Sequence, residues 1–462
     1  MRLLRGSFLL TLAISRTALP QTPVPLLDQP VAPASVIPGG SGFTLTLHGA
    51  GFVTGGFVRW NGKRLNTTIV SKTQATAEVS EADAASAQTA WISLANSANL
   101  VSNNVPLQVV APAATSSLTV GPGYSLASEA TGIAAGDFNG DGNLDLAVSN
   151  PNSRAAAVQV FLGNGDGTFR PPINLPYPGI YGLLAADVNN DGKCDLVGAG
   201  NTHMVVWLGE GNGTFSSPQQ FDAGFPFAVA AADFNGDGKL DVAVANYCLD
   251  GCLTYGGLTI MLGNGDGTFT HAGFYSLPLD VSTVVAGDFN GDGIPDLAVA
   301  VGYSSYYYVL FGNGDGTFQT QRNSGDGLQS DVVTADFNGD GKLDLAFIRA
   351  CCSSSIDVNL GNGNGTFSAP LTNPGYGLYL SFADFNGDGK LDLISATAPD
   401  TLGVYLGNGD GTFQAPVVLA QAPAYADLFI VGDFNNDGRP DIAVTLINGT
   451  SGMLGILLNS SH

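Results

Sequence analysis

The sequence predicts an all-β protein: a seven-bladed β-propeller preceded by a small β-sandwich. Three observations carry this. A nonapeptide of the form DFNGDGKLD recurs at Asp137, Asp187, Asp233, Asp288, Asp336, Asp384 and Asp433, at intervals of 50, 46, 55, 48, 48 and 49 residues. A period of that length without a helical pattern is the spacing of propeller blades. The chain is 44% hydrophobic and 12% charged with 63 glycines, which fits strands joined by tight turns. Finally, residues 42–110 alternate apolar and polar with period two, interrupted by Gly and Asn turns, as half-buried strands do.

In chain order, residues 1–21 read MRLLRGSFLLTLAISRTALPQ, with Arg2 and Arg5 ahead of a short apolar run and small residues after it. This is the pattern of a secretory signal peptide. Residues 22–29 open a Pro-rich stretch expected to be an extended linker. Residues 30–111 hold GFTLTLHGAGF, VRWNGKRLNTT and TQATAEV and resemble an IPT/TIG immunoglobulin-like domain, with Trp60 and Trp91 expected in its core. A second linker, 112–117, leads to the repeats at 118–459.

Each repeat reads as four strands. One apolar run enters the acidic loop and a second leaves it. A third ends in LGNGDGTF or a variant, and a fourth follows the Phe. The seventh repeat is one strand short, while residues 118–127 supply a spare strand upstream of the first. The ring is therefore expected to close by pairing that strand into the last blade, leaving no open edge between first and last blades.

The formal net charge is -23, and the seven nonapeptides hold 21 of the 39 acidic residues. The remaining acids nearly balance the 16 Lys and Arg, so the negative charge is local. Such a chain is not expected to bind nucleic acid. Concentrated carboxylates point instead to a hard cation. In all seven copies positions 1, 5 and 9 are Asp, position 3 is Asn and position 6 is Gly, while position 7 varies. A varying residue can still offer its backbone carbonyl. The calcium ligands expected are then Asp137, Asn139, Asp141, Asn143 and Asp145; Asp187, Asn189, Asp191, Lys193 and Asp195; Asp233, Asn235, Asp237, Lys239 and Asp241. The remaining four loops supply Asp288, Asn290, Asp292, Ile294 and Asp296; Asp336, Asn338, Asp340, Lys342 and Asp344; Asp384, Asn386, Asp388, Lys390 and Asp392; and Asp433, Asn435, Asp437, Arg439 and Asp441. Up to seven Ca²⁺ ions are expected. An EF-hand is excluded because position 12 holds Val148, Gly198 and Val244 in the first three copies, where a bidentate acid belongs.

DFNGDGxxDLAV followed by LGNGDGTF resembles the FG-GAP/VCBS-type repeat of integrin-α-like β-propellers. That resemblance implies seven blades with Ca²⁺ held between the first and second strands of each. The copy at Asp187 departs from it, with Val188 for Phe and Asn190 for Gly. The GNGDGTF element reads as a hairpin turn, its Phe packing between blades.

Antiparallel order puts the acidic loops and the GNGDG turns on one face and the variable loops on the other. Uniform loops suggest scaffold; diverse loops rich in Tyr, Ser and Gly suggest recognition. Tyr247, Tyr255, Tyr303, Tyr306 and Tyr307 are the candidate ligand contacts. The four histidines lie in no HExxH, and no GxSxG or Walker pattern occurs. The expectation is a secreted or cell-surface, monomeric, non-catalytic protein binding a carbohydrate or extracellular protein. A carbohydrate-active enzyme on the same ring and a structural spacer are the alternatives. Cys248 and Cys252 could form a small disulfide loop, the pairing of Cys351 and Cys352 is open, and Cys194 is expected as a buried thiol.

Overall fold

The computed structural model describes residues 21–113, 118–177, 179–247, 255–278, 281–302, 306–324, 329–349, 355–375, 379–398, 401–421, 425–448 and 451–460. Every regular element among them is a strand. Cys248, Cys252, Cys351, Cys352 and the expected signal peptide lie outside the described residues.

Seven four-stranded antiparallel sheets follow one another. The first is Gly132–Gly136, Asp145–Ser149, Val158–Phe161 and Ile173–Leu175, in that order. The seventh is Tyr425–Gly432, Asp441–Asn448 and Ser451–Asn459, completed by Leu118–Ser125. There Leu118 lies opposite Asn459 and Ser125 opposite Met453, so the expected clasp closes the ring. The first strand of each blade is the innermost. Gly132–Gly136 packs against Ile180–Ala186 on one side and Tyr425–Gly432 on the other. These strands are rich in Ala and Gly because neighbouring backbones converge at the axis. A Cβ on Gly132 would stand 2.2 Å from the Tyr181 carbonyl oxygen, and one on Gly182 2.5 Å from that of Phe227. Second strands such as Asp145–Ser149 and Asp241–Asn246 are buried along their whole length, so they read as unbroken apolar runs.

The N-terminal part is a sandwich of a four-stranded and a five-stranded sheet around Leu45, Leu47, Val58, Trp60, Ile92 and Leu107. Trp60 is core as expected; Trp91 is only half-buried. The Pro-rich residues 22–29, expected as a linker, are instead a packed segment. Leu26 and Leu27 pair with Ala50 and Gly49. Leu27 enters the sandwich core, while Leu26 packs among propeller residues beside Ala228 and Ala286. Apolar side chains at Val24, Leu26 and Leu27 give this stretch something to bury, which a free linker lacks.

The sandwich sits on the acidic-loop face of the ring. Gly51 N–H donates to Gly293 O (3.0 Å), Asp336 N–H to Gln29 O (2.9 Å) and Ala113 N–H to Asn386 O (2.7 Å). Thr89 Oγ1 donates to Asp433 Oδ2 at 2.7 Å. Leu26, Leu27, Asp28, Gln29 and Asn103 meet Ala286, Thr334, Leu343 and Phe382 around a cavity of about 130 Å³. Burial, with Asp288 and Asp336 nearby, pushes the Asp28 carboxyl well above its usual range.

Candidate metal-binding loops and ligand face

Each acidic loop is a nest of side-chain-to-backbone hydrogen bonds. In the loop at Asp233, Oδ1 of Asp233 accepts from Asp237 N–H (3.1 Å) and Oδ2 from Gly238 N–H (2.8 Å). Asn235 Oδ1 accepts from Asp237 N–H (2.9 Å), and Asp237 Oδ1 from Lys239 N–H (3.1 Å). The same contacts recur from Asp187, Asp336, Asp384 and Asp433. Positions 4 and 6 take positive φ. Gly236 (69°) and Gly238 (82°) show why glycine is used, and Asn190 (59°) and Asn436 (58°) are the type of residue that tolerates position 4 otherwise. The departure from the repeat at Asn190 is thus conformationally neutral.

Position 9 does something the sequence did not announce. Asp241 is fully buried; its Oδ2 accepts from Phe234 N–H (3.0 Å) and its Oδ1 from Gly263 N–H (2.8 Å). One carboxylate thereby staples the start of the loop to the end of the third strand. Asp145, Asp195, Asp296, Asp344, Asp392 and Asp441 repeat the clamp. Burial raises these carboxyls against the backbone donors, with neighbouring loop aspartates adding to the rise. Asp145 is pushed up to about 6, Asp195 and Asp344 to about 7, and Asp241, Asp296, Asp392 and Asp441 to about 8. Position 1 is raised too, at Asp187, Asp233, Asp288, Asp336, Asp384 and Asp433, again mainly by burial.

The loops thus concentrate carboxylates that resist ionisation without a counter-charge, and the donor chemistry of positions 1, 3 and 5 fits an oxygen-seeking cation. Among the described residues, no three acidic side chains stand gathered around one point as a ready metal cage. The position-7 ammonium instead lies against position 5. Lys193–Asp191 measures 3.2 Å, Lys239–Asp237 3.3 Å, Lys342–Asp340 3.1 Å and Lys390–Asp388 4.0 Å. Such exposed pairs are worth little and yield readily to a stronger cation.

The GNGDG turns behave as turns. Asp166 Oδ1 accepts from Thr168 N–H (3.0 Å) and Oγ1 (2.6 Å), and these bonds hold its carboxyl below the usual range. The turns also join blades. Phe215 packs edge-on against Phe138 (5.6 Å), Phe318 against Phe234 (5.3 Å) and Phe169 against Phe434 (5.9 Å). Each pairs a turn Phe with loop position 2 of the preceding blade, and Gly213 N–H donates to Phe138 O (3.0 Å) beside it.

The tyrosine candidates divide. Tyr247 and Tyr306 are exposed, at 40% and 36%. Tyr307 is a correction: it is 2% exposed and packs against Phe347 (4.7 Å) and Phe367 (6.1 Å) between blades. Tyr306 is exposed at the start of its strand, whereas Tyr307 and Tyr308 within it are buried on opposite faces, and burial pushes the Tyr307 phenol up. Tyr255 begins a strand, its side chain outside the described set, and Tyr303 lies outside the described residues. Cys194 is only partly shielded; burial and the adjacent Asp195 push its thiol up to about 12. Sequence reasoning missed Phe225 and Phe227, whose signal was aromatic residues at strand starts on the variable end.

No curated protein matches the chain. Among solved structures it is similar to an Agrocybe aegerita lectin, described for specific recognition of non-reducing terminal N-acetylglucosamine. Identity is 20% and the TM-score 0.46, covering 78% of this chain and 95% of that one. It is also similar to the AfRom2 CNH domain at 8% identity and TM-score 0.45, covering 74% and 99% respectively. The FG-GAP-like repeat matches at residues 137–197, 187–244, 251–299, 288–347, 336–395 and 384–444. With most of the chain so matched and every blade built around the same acidic hairpin, the chain belongs to the FG-GAP-like repeat family.

Proposed function

We propose that this chain is a secreted or cell-surface binding protein whose calcium-loaded propeller recognises a carbohydrate or protein ligand through its variable face, without catalysis. The single observation that carries this reading is the asymmetry of the two faces. The acidic-loop face is uniform and is partly covered by the N-terminal sandwich, through Thr89, Gln29, Gly51 and Ala113. The other end is diverse and carries exposed aromatic side chains. Positions 1, 3, 5 and 9, with the carbonyl at position 7, would hold Ca²⁺; position 9 also closes the loop beneath the ion. The ion would supply positive charge against carboxylates that otherwise repel one another. Extracellular modules bind calcium at Kd values around 10⁻⁴–10⁻³ M, so an external medium would load such sites.

A glycan and protein-ligand screen, run with and without calcium, tests this. Saturable, calcium-dependent binding without product is expected. Turnover of a bound glycan would overturn the non-catalytic reading, and calcium-independent binding would remove the ion from it.

A further inference from the structure

At the end of the ring away from the acidic loops, a row of aromatic rings crosses blades 2 and 3. Tyr181 stacks on Phe227 with centroids 6.1 Å apart and planes at 27°. Phe227 in turn meets Tyr247 at 5.7 Å and 37°. Phe225 beside them is 43% exposed and Tyr247 40%.

The fold puts the rings there by a repeated device. Tyr181 and Phe227 each stand six residues before an acidic loop, as do Thr131, Ser282 and Ser330 in blades 1, 4 and 5. At this point the pairing of first and second strands slips in blades 2 to 5. A bulge leaves a residue out of the ladder and re-aims it. Blades 1, 4 and 5 spend that position on a hydroxyl residue; blades 2 and 3 place rings there. The backbone beneath is pinned. Ser149 Oγ donates to Tyr181 O (2.9 Å), Thr131 Oγ1 to Ile180 O (3.2 Å), and Tyr247 N–H to Phe225 O (3.1 Å). The row is therefore held in place before any ligand arrives, which lowers the ordering cost of binding.

We propose that Tyr181, Phe225, Phe227 and Tyr247 form a subsite for the C–H face of a neutral pyranose ring. This deepens the carbohydrate branch of the proposed function and rests on it. One face of a hexose presents C–H groups of partial positive charge, which suit the negative face of an aromatic ring. The equivalent positions in the flanking blades carry Thr131 and Ser282, hydroxyl residues and not charges, which favours a neutral sugar. Four rings over two blades also form a smaller surface than the roughly 800 Å² per partner of a stable protein interface. The occupant is accordingly small or linear.

The test titrates the full chain, with calcium present, against neutral gluco-, manno- and chito-oligosaccharides. Proton NMR on the sugar should show upfield ring-current shifts of its C–H protons in the complex, a readout that needs no variant. The double substitution Phe225→Ala with Tyr247→Ala should weaken binding by about tenfold or more, the scale of one lost aromatic stack. Val418→Ala, on blade 6, should leave it unchanged. A sugar that binds the double variant as well as the native chain, with no ring-current shift, overturns the subsite while leaving the carbohydrate reading intact. If no sugar binds the native chain, both fall together.

Discussion

The backbone N–H of Val24 donates to Oδ2 of Asp233 at 2.9 Å, so a residue of the N-terminal segment closes on the first acid of blade 3. The same oxygen accepts Gly238 N–H within its own loop. Anything that rearranges this loop therefore acts on the seat of the sandwich. Chelation should raise amide exchange across residues 22–36 together with the loops of blades 3 and 7. Exchange of 22–36 that is indifferent to calcium would show docking and loading to be independent.

A pair of glycine substitutions separates docking from loop strain. Gly142 (φ 85°) and Gly438 (φ 89°) occupy position 6 of the first and last loops. A Cβ on Gly142 meets open space, but one on Gly438 would stand 2.7 Å from the Gln88 backbone nitrogen of the sandwich. Both Gly→Ala changes pay about 1 kcal/mol or somewhat more for left-handed backbone. Only Gly438→Ala should also expose the sandwich to limited proteolysis. Equal cleavage of the two variants would sink the docking geometry.

Positions 5 and 9 should respond differently to substitution. Asp237→Ala removes a candidate ligand and one loop hydrogen bond, so native mass spectrometry should find one ion fewer, with blade 3 loosened most because blades contact mainly their neighbours. Asp241→Asn leaves one of two buried backbone N–H groups facing a donor, at a cost of about 1–3 kcal/mol relative to the ionised carboxylate, read in chelator above the folded value of about 8. If, above that pH, the chelated Asp241→Asn protein melts where the native chain does, the clamp is not structural.

The raised carboxyls give the metal-free protein a defined pH response. Unfolded, the position-9 aspartates titrate near 3.8; folded, they titrate at about 6 to 8. The folded state therefore holds protons that the unfolded state has lost. Their stabilisation is complete below about pH 4 and disappears as pH rises through the folded values. In chelator, the melting temperature should be higher at pH 5 than at pH 8, and saturating calcium should restore most at pH 8. Calorimetry showing chelated protein gaining stability from pH 5 to 8 would contradict this.

Asp331 provides a metal-independent counterpart. Its carboxylate accepts from Thr283 Oγ1 (2.9 Å) of blade 4 and Leu380 N–H (2.9 Å) ahead of the first strand of blade 6, and burial pushes it up to about 6. Asp331→Asn should destabilise the ring by about 1–3 kcal/mol. It should also flatten that part of the pH dependence falling between about pH 4 and 6, in chelator and in calcium alike. A melting curve unchanged at pH 5 and 8 would argue against the bridge.

What repeats was legible in the sequence. Seven copies exposed the blade, the turn Phe between blades and the missing strand that Leu118–Ser125 supplies. What occurs once was not. The seating of Val24 on Asp233 pairs two residues 209 apart that no period connects. The burial of Tyr307 follows from a strand covered by neighbouring blades on both faces, so only Tyr306 at its start is exposed, and three consecutive tyrosines do not mark where the strand begins. The clamp at Asp241 was hidden by a different cause: an acid at that spacing reads as a ligand, and only its two backbone partners reveal a second duty.

The clasp between Leu118–Ser125 and Ser451–Asn459 also sets an order of assembly. Its two halves are made at opposite ends of the repeat array, so a growing polypeptide remains an open arc throughout synthesis of the intervening blades. Sealing waits until residue 459 has emerged, whatever has folded before. Any stall or cut ahead of that point leaves two unprotected sheet edges, each able to recruit a strand from another molecule.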